Sequence, residues 1–185
     1  DDADNITHST PNSAATDSRT VPASGGGWEW GYLRRFNTLL QYSVNCKDKT
    51  VRTRYQALTR FFRAYFYFEL VKRYGGVPLV GDNVYVLGDD VQLPRNTFAQ
   101  CIDYIVRELD EIKDDLRSLP MSDATEFAHA PTKETCLAMK ARVLLYAASP
   151  LFNEKPLEAG NELIGYASYD SQRWNLAAQA AKDLI

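Results

Sequence analysis

Residues 54–78, RYQALTRFFRAYFYFELVKRYGGVP, constrain the fold of this chain more than any other stretch. Leu58, Phe61, Phe62, Tyr65, Phe66 and Phe68 recur at helical steps, the spacing that gathers side chains on one side of an α-helix. Ala57 and Ala64 form a neighbouring strip, where small side chains let a second helix come close. Glu69 precedes Lys72 and Arg73 at pairing distance, and those two cations suit the negative end of the helix dipole. Gly75 or Gly76 supplies the backbone conformation that closes a helix, and Pro78 forbids its continuation. A helix with this much aromatic surface needs cover. The remaining helices are expected to provide it.

The rest of the composition is compatible with that demand. At 185 residues and 45% hydrophobic, the chain is large enough to bury a core in one or two domains. A net charge of −3, with Lys and Arg scattered among acids, argues against nucleic acid, which wants a basic stripe. Cys46, Cys101 and Cys136 are far apart, and there are only two histidines, so neither a metal site nor a cofactor is expected. Cys101 and Cys136 fall on apolar helix faces and read as small buried hydrophobes. No apolar run reaches the roughly 20 residues that span a bilayer. The chain opens on Asp1 and stops at Ile185 within a helical pattern, so it is expected to belong to a longer protein.

Residues 1–27 are polar, with Pro11, Pro22 and three consecutive glycines, and read as a loop that is either flexible or ligand-facing. Residues 28–185 read as a helical domain. Its first helix runs from Trp28 to about Val44 with a stripe of Tyr32, Leu33, Phe36, Leu39, Leu40 and Val44. Residues 45–50 connect it to the aromatic helix as an antiparallel hairpin. Residues 77–93 form an excursion loop. Thr97 and Gln100 make a capping box for a third helix whose stripe is Phe98, Cys101, Ile102, Ile105, Leu109, Ile112 and Leu116. Leu119 and Pro120 end it. Thr132 caps a fourth helix, apolar on two sides, which runs to Ser149. Asp170 or Ser171 caps a fifth with a stripe of Trp174, Ala177, Ala178, Ala181 and Leu184. Five helices joined by unequal loops, with little strand signal, predict an all-α, tetratricopeptide-like hairpin array with long decorated loops.

Chemistry is sparse. His8 and His129 lie in loops, far from any nucleophile–acid pattern. The glycines at 25–27 open no phosphate-binding motif. The acidic pairs at 89–90, 110–111 and 114–115 lack calcium-loop spacing and read as solvated surface. Trp28 and Trp30 follow the polar loop, where an aromatic ring suits stacking on a sugar; the competing reading makes them the start of a core helix.

Several phrases go further. FFRAYFYFELVKRYGGVPLV at 61–80 resembles the signature helix of the SusD/RagB family of surface glycan-binding lipoproteins. Pro94, Arg95, Asn96 and Thr97 ahead of the third helix, and MKARVLLYAASPLFN at 139–153, are similar to its next two hallmarks. Trp28, Tyr32, Arg34, Arg35 and Asn37 look like its Trp-bearing helix, and residues 174–185 resemble the helix that follows the third hallmark. The glycine-rich turn usual before Thr132 and Lys133 is replaced by Ala128, His129, Ala130 and Pro131, a change expected to alter a loop and spare the fold.

The resemblance implies a non-enzymatic protein at the outer membrane, surface-exposed, held by a lipid anchor outside this chain. It implies an oligosaccharide ligand and a SusC-like TonB-dependent transporter as partner. The helices are then mainly scaffold and transporter-facing surface. Asp1, Asp2 and Ala3 resemble a loop-opening Asp-Glu-Ala of the family, departing from it at Asp2. The ligand-binding candidates are accordingly Trp28, Trp30 and Asp2. Without the resemblance, the residues also fit a soluble helical-repeat adaptor for protein partners.

Overall fold

The aromatic helix forms, and it buries only part of its aromatic stripe. The computed structural model describes residues 30–118, 130–155 and 157–185. The chain divides into two units, Asp1–Trp30 and Gly31–Ile185. The described residues after Trp30 fall in the second. There, α2 (Lys49–Tyr74) starts at Asp48, whose carboxylate accepts from the Thr50 and Val51 amides at 2.9 and 3.0 Å. The start lies within the stretch read as a polar connection, because its first turn is exposed and carries no apolar period.

The buried residues of α2 are Ala57, Thr59, Phe61, Arg63, Ala64, Tyr67, Phe68, Leu70 and Val71. Phe62 and Tyr65 are each 44% exposed, and Leu58 and Phe66 are half-buried. This corrects the expectation that the aromatic stripe would be fully covered. Helices α1, α3 and α4 pack on α2, with Tyr32 of α1 meeting Phe66 and Tyr146 of α4 meeting Phe68.

Helix α1 (Gly31–Ser43) pairs with α2, and Gln56 donates to Ser43 Oγ at 2.7 Å across the hairpin. It buries Leu33 and Asn37, while Tyr32, Leu39 and Val44 of the expected stripe are exposed. Helix α3 (Phe98–Ile112) carries both arms of the capping box and runs into a 3-10 turn, Lys113–Asp115. All seven residues of its expected stripe are buried. We expect Thr97→Ala to cost about 1 kcal/mol, because the Gln100 amide loses its acceptor. Urea unfolding measures it, and an unchanged midpoint would show that water replaces the cap.

Helix α4 (Lys133–Ala148) is capped by Thr132 and lies between α3 and α6. It buries Cys136, Met139, Val143, Ala147 and Ala148 and half-buries Leu137, Ala141 and Leu144, as two-sided patterning requires. Pro150 does more than stop it. It occupies the first turn of a short helix, α5 (Pro150–Asn153), where its missing N–H costs nothing. Helix α6 (Gln172–Lys182) buries Ala177 and Ala180, whereas Trp174, Ala178, Ala181 and Leu184 are exposed, so the expected stripe is offset. Its cap is the Asp170 carboxylate, which accepts from the Gln172 amide at 2.9 Å.

A run of touching rings joins these elements. Phe68 meets Tyr146, Tyr146 meets Phe152, and Phe152 stacks on Phe98 with centroids 4.7 Å apart. The described residues therefore form six helices and no strand, an all-α, tetratricopeptide-like array. None of these helices is long and apolar enough to cross a membrane. Leu119, Pro120 and His129 lie outside the described residues.

Candidate functional site

Of the three candidates named from sequence, the structure describes one. Asp2 and Trp28 lie outside the described residues, and Trp30 is the last residue of the first unit. What the second unit assembles is a charged cluster whose partners no spacing in the sequence brings together.

Its origin is helical spacing. Arg60 and Arg63 sit one turn apart on α2, and Glu108 and Glu111 sit one turn apart on α3, so packing the two helices meets cations with acids. Arg60 takes Glu108 in a fork, Nε to Oε2 at 3.1 Å and Nη2 to Oε1 at 2.9 Å, and also reaches Glu111. Arg63, with 3% of its side chain exposed, donates to Glu108 Oε2 at 2.8 Å and to Asn37 Oδ1 at 2.9 Å. Its third partner is Asp82, at 2.6 Å. Asn37 in turn donates to the carbonyls of Gly81 and Asn83 at 2.9 and 2.8 Å. One buried guanidinium thus ties α1, α2, α3 and the loop after α2 together.

The electrostatics follow from these contacts. Burial alone would raise the Glu108 pKa, but hydrogen bonds from Arg60 and Arg63 and their charges outweigh it, so the carboxyl sits below the ordinary glutamate value. The Glu108 hydrogen bond, ahead of an opposing burial effect, raises the Arg60 pKa. Burial pushes Tyr67 up to about 12, and its hydroxyl accepts from the Val80 amide at 2.9 Å. Arg60, Arg63, Arg107, Glu108 and Glu111 line a groove of about 450 Å³. A carboxylate held ionised between two guanidiniums has no proton to give near neutral pH, so the cluster suits positioning rather than general acid chemistry.

The acids read as solvated surface are mostly engaged. Asp110 takes Lys140 and Lys113, Asp114 takes Lys133, and Glu111 takes Arg60. Among the described residues no three metal-ligating side chains cluster. Cys101 and Cys136 are buried free thiols, as expected.

The loop of residues 77–96 is the second built feature. Its two ends are joined by the Asn96 amide to Val77 carbonyl bond, 3.2 Å, and by the Leu79 amide to Asn96 Oδ1 bond, 3.0 Å. Arg95 ties the returning end to the carbonyls of Gly76 and Tyr74 at 2.7 and 2.5 Å.

The described residues thus form a helical hairpin array with a pinned loop. The profile of a SusD-like family, described as starch-binding and associating with the outer membrane, matches residues 11–145. The chain belongs to this family, the SusD/RagB group that its motifs resemble. It is similar to the solved protein BT4246, with 28% identity and a TM-score of 0.71 over 85% of this chain and 29% of that one. A SusD-like protein from Bacteroides fragilis matches at 25% identity and a TM-score of 0.62, over 82% of this chain and 24% of its own. A third structure, solved with a xylogluco-oligosaccharide, shares the fold at 22% identity and a TM-score of 0.64, over 86% and 28% of the two chains. The chain thus spans between 24% and 29% of these relatives. A search of curated proteins finds no match.

Proposed function

We propose that this chain is the helical scaffold of a surface-exposed, lipid-anchored protein that captures oligosaccharides without chemically altering them. It passes them to a SusC-like TonB-dependent transporter. The observation that carries this reading is the family profile, starch-binding and outer-membrane-associated, extending over residues 11–145. That association favours capture over a soluble adaptor.

Ligand contact is assigned to Trp28, Trp30 and Asp2. An indole face covers the C–H face of a pyranose, and a carboxylate accepts from the hydroxyls at the ring's edge. By analogy with base stacking, losing one ring costs on the order of 1–3 kcal/mol. Trp28→Ala and Trp30→Ala in the full-length protein are therefore expected to weaken oligosaccharide binding by about tenfold or more. Titration calorimetry against starch, xyloglucan and laminarin oligosaccharides measures this. Wild-type affinity in both variants would remove the two tryptophans from the site. Failure of the wild type to bind any glycan on a broad array would defeat the capture reading.

A further inference from the structure

The charged cluster leaves two polar atoms unanswered. Among the described residues, Arg63 Nε and Tyr104 Oη are buried and meet no hydrogen-bond partner. Arg63 is 2% exposed and Tyr104 8%. A polar group buried without a partner gives up its hydration for nothing in return, so native interiors rarely keep one.

Helical spacing makes the two residues neighbours. Arg63 and Tyr67 stand one turn apart on α2, and Tyr104 and Glu108 stand one turn apart on α3. Arg63 meets Glu108 at 2.8 Å, and the Tyr67 and Tyr104 rings meet edge to face with centroids 5.2 Å apart. The four side chains form a square with Arg63 and Tyr104 across its diagonal. Burial raises the Tyr104 pKa while the Arg63 charge pulls it down, as the nearness of the two groups requires.

The other polar atoms of the square are committed. The two Nη atoms of Arg63 go to Asn37, Gly81, Asp82 and Glu108. Glu108 takes Arg60 on both oxygens as well as Arg63 on one, and the Tyr67 hydroxyl takes the Val80 amide. Arg63 Nε and Tyr104 Oη each have a proton to donate, so what fits them both is an acceptor. An anion there would face the Glu108 and Asp82 carboxylates that already balance Arg63, and a cation would face the Arg60 and Arg63 guanidiniums. A small neutral molecule with two lone pairs meets neither objection. Buried waters serve polar groups of this kind.

We propose that one water molecule is a fixed part of the α2–α3 interface, accepting from Arg63 Nε and from Tyr104 Oη. It ties Tyr104 into the node that joins α1, α2, α3 and the loop after α2. Both atoms are already enclosed by these elements, so the position does not depend on what else the polypeptide packs around them.

A crystal structure of the full-length protein, at a resolution that shows ordered water, tests this directly. One water peak within about 3.2 Å of both atoms is expected. A side chain in that position, a direct Arg63–Tyr104 bond or no peak overturns the proposal. An anomalous peak there after a bromide soak does so too, since the occupant would then be an anion. Tyr104→Phe gives the measurement in solution. It keeps the ring against Tyr67 and removes one of the water's two donors, so the unfolding equilibrium constant is expected to rise about fivefold. A hydroxyl with no partner predicts the opposite, because removing it ends a desolvation penalty. A variant as stable as the wild type, or more stable, overturns the bound water.

Discussion

Gly76→Ala is expected to destabilise the fold by about 3 kcal/mol or more, at the upper end of what overpacking costs. A Cβ there would lie 2.0 Å from the Asn96 carbonyl oxygen and 3.0 Å from the Thr97 carbonyl carbon. Both are backbone atoms, so no side chain can swing aside. Nor is that backbone free to retreat. Asn96 holds the returning end of the loop on Val77 and Leu79, and Thr97 caps α3. Relief of the clash therefore breaks a cap or unpins the loop. Gly75 is confined on its other side, with φ 69° and a virtual Cβ 2.1 Å from the Leu163 carbonyl oxygen. Gly160→Ala separates conformation from contact. Its φ of 80° disfavours alanine, but nothing lies within 4 Å, so a loss of only about 1–2 kcal/mol is expected. Urea unfolding of the variants measures the difference. If Gly76→Ala unfolds at the midpoint of Gly160→Ala, close backbone approach is not what that position requires.

These glycines also mark where the sequence was readable and where it was not. Helix ends were legible because capping is local: Thr97 with Gln100, Thr132 with Thr135 and Gly75 with Val71 all form within one turn. The start of α2 at Asp48 escaped because its first turn is exposed and lacks an apolar period. Periodicity showed which residues share a side of α2, but not on which side the neighbours lie. Ala57 and Ala64 are buried while Phe62 and Tyr65 are left exposed. The charged cluster was illegible for a different reason. Arg63 finds Asn37 from 26 positions away and Glu108 from 45, separations that no spacing rule spans. Arg63 among aromatics was the signal available, since a charge on a core helix needs a partner. Trp28 and Trp30 were read from their place after the polar loop and Asp2 from resemblance, because none of the three is fixed by a period.

The cluster sets the second large expectation. Glu108→Ala should cost about 3 kcal/mol or more, the scale seen when one member of a buried ion pair is deleted. Glu108 has 7% of its side chain exposed and serves two guanidiniums at once. Arg60 can relax toward Glu111 and solvent, but Arg63 is enclosed and would keep Asn37, the Gly81 carbonyl and, as its one carboxylate, the exposed Asp82. Glu108→Gln retains shape and one acceptor while removing the charge and the second acceptor, so it should cost less. The acid response distinguishes the two roles. In the folded chain the Glu108 pKa lies below its ordinary value of 4.5. Between those two values the unfolded chain takes up a proton that the folded chain refuses, so stability rises with pH there. The contribution is complete above the unfolded value and disappears as pH falls through the folded one. Asp110 adds in the same sense, since Lys140 and Lys113 outweigh its burial and hold its pKa low. Urea midpoints followed from neutral pH into acid should therefore fall steeply for the wild type and less steeply for Glu108→Gln. Parallel curves would mean that Glu108 is not held ionised by the two arginines, and the tie between α2 and α3 would then be packing alone.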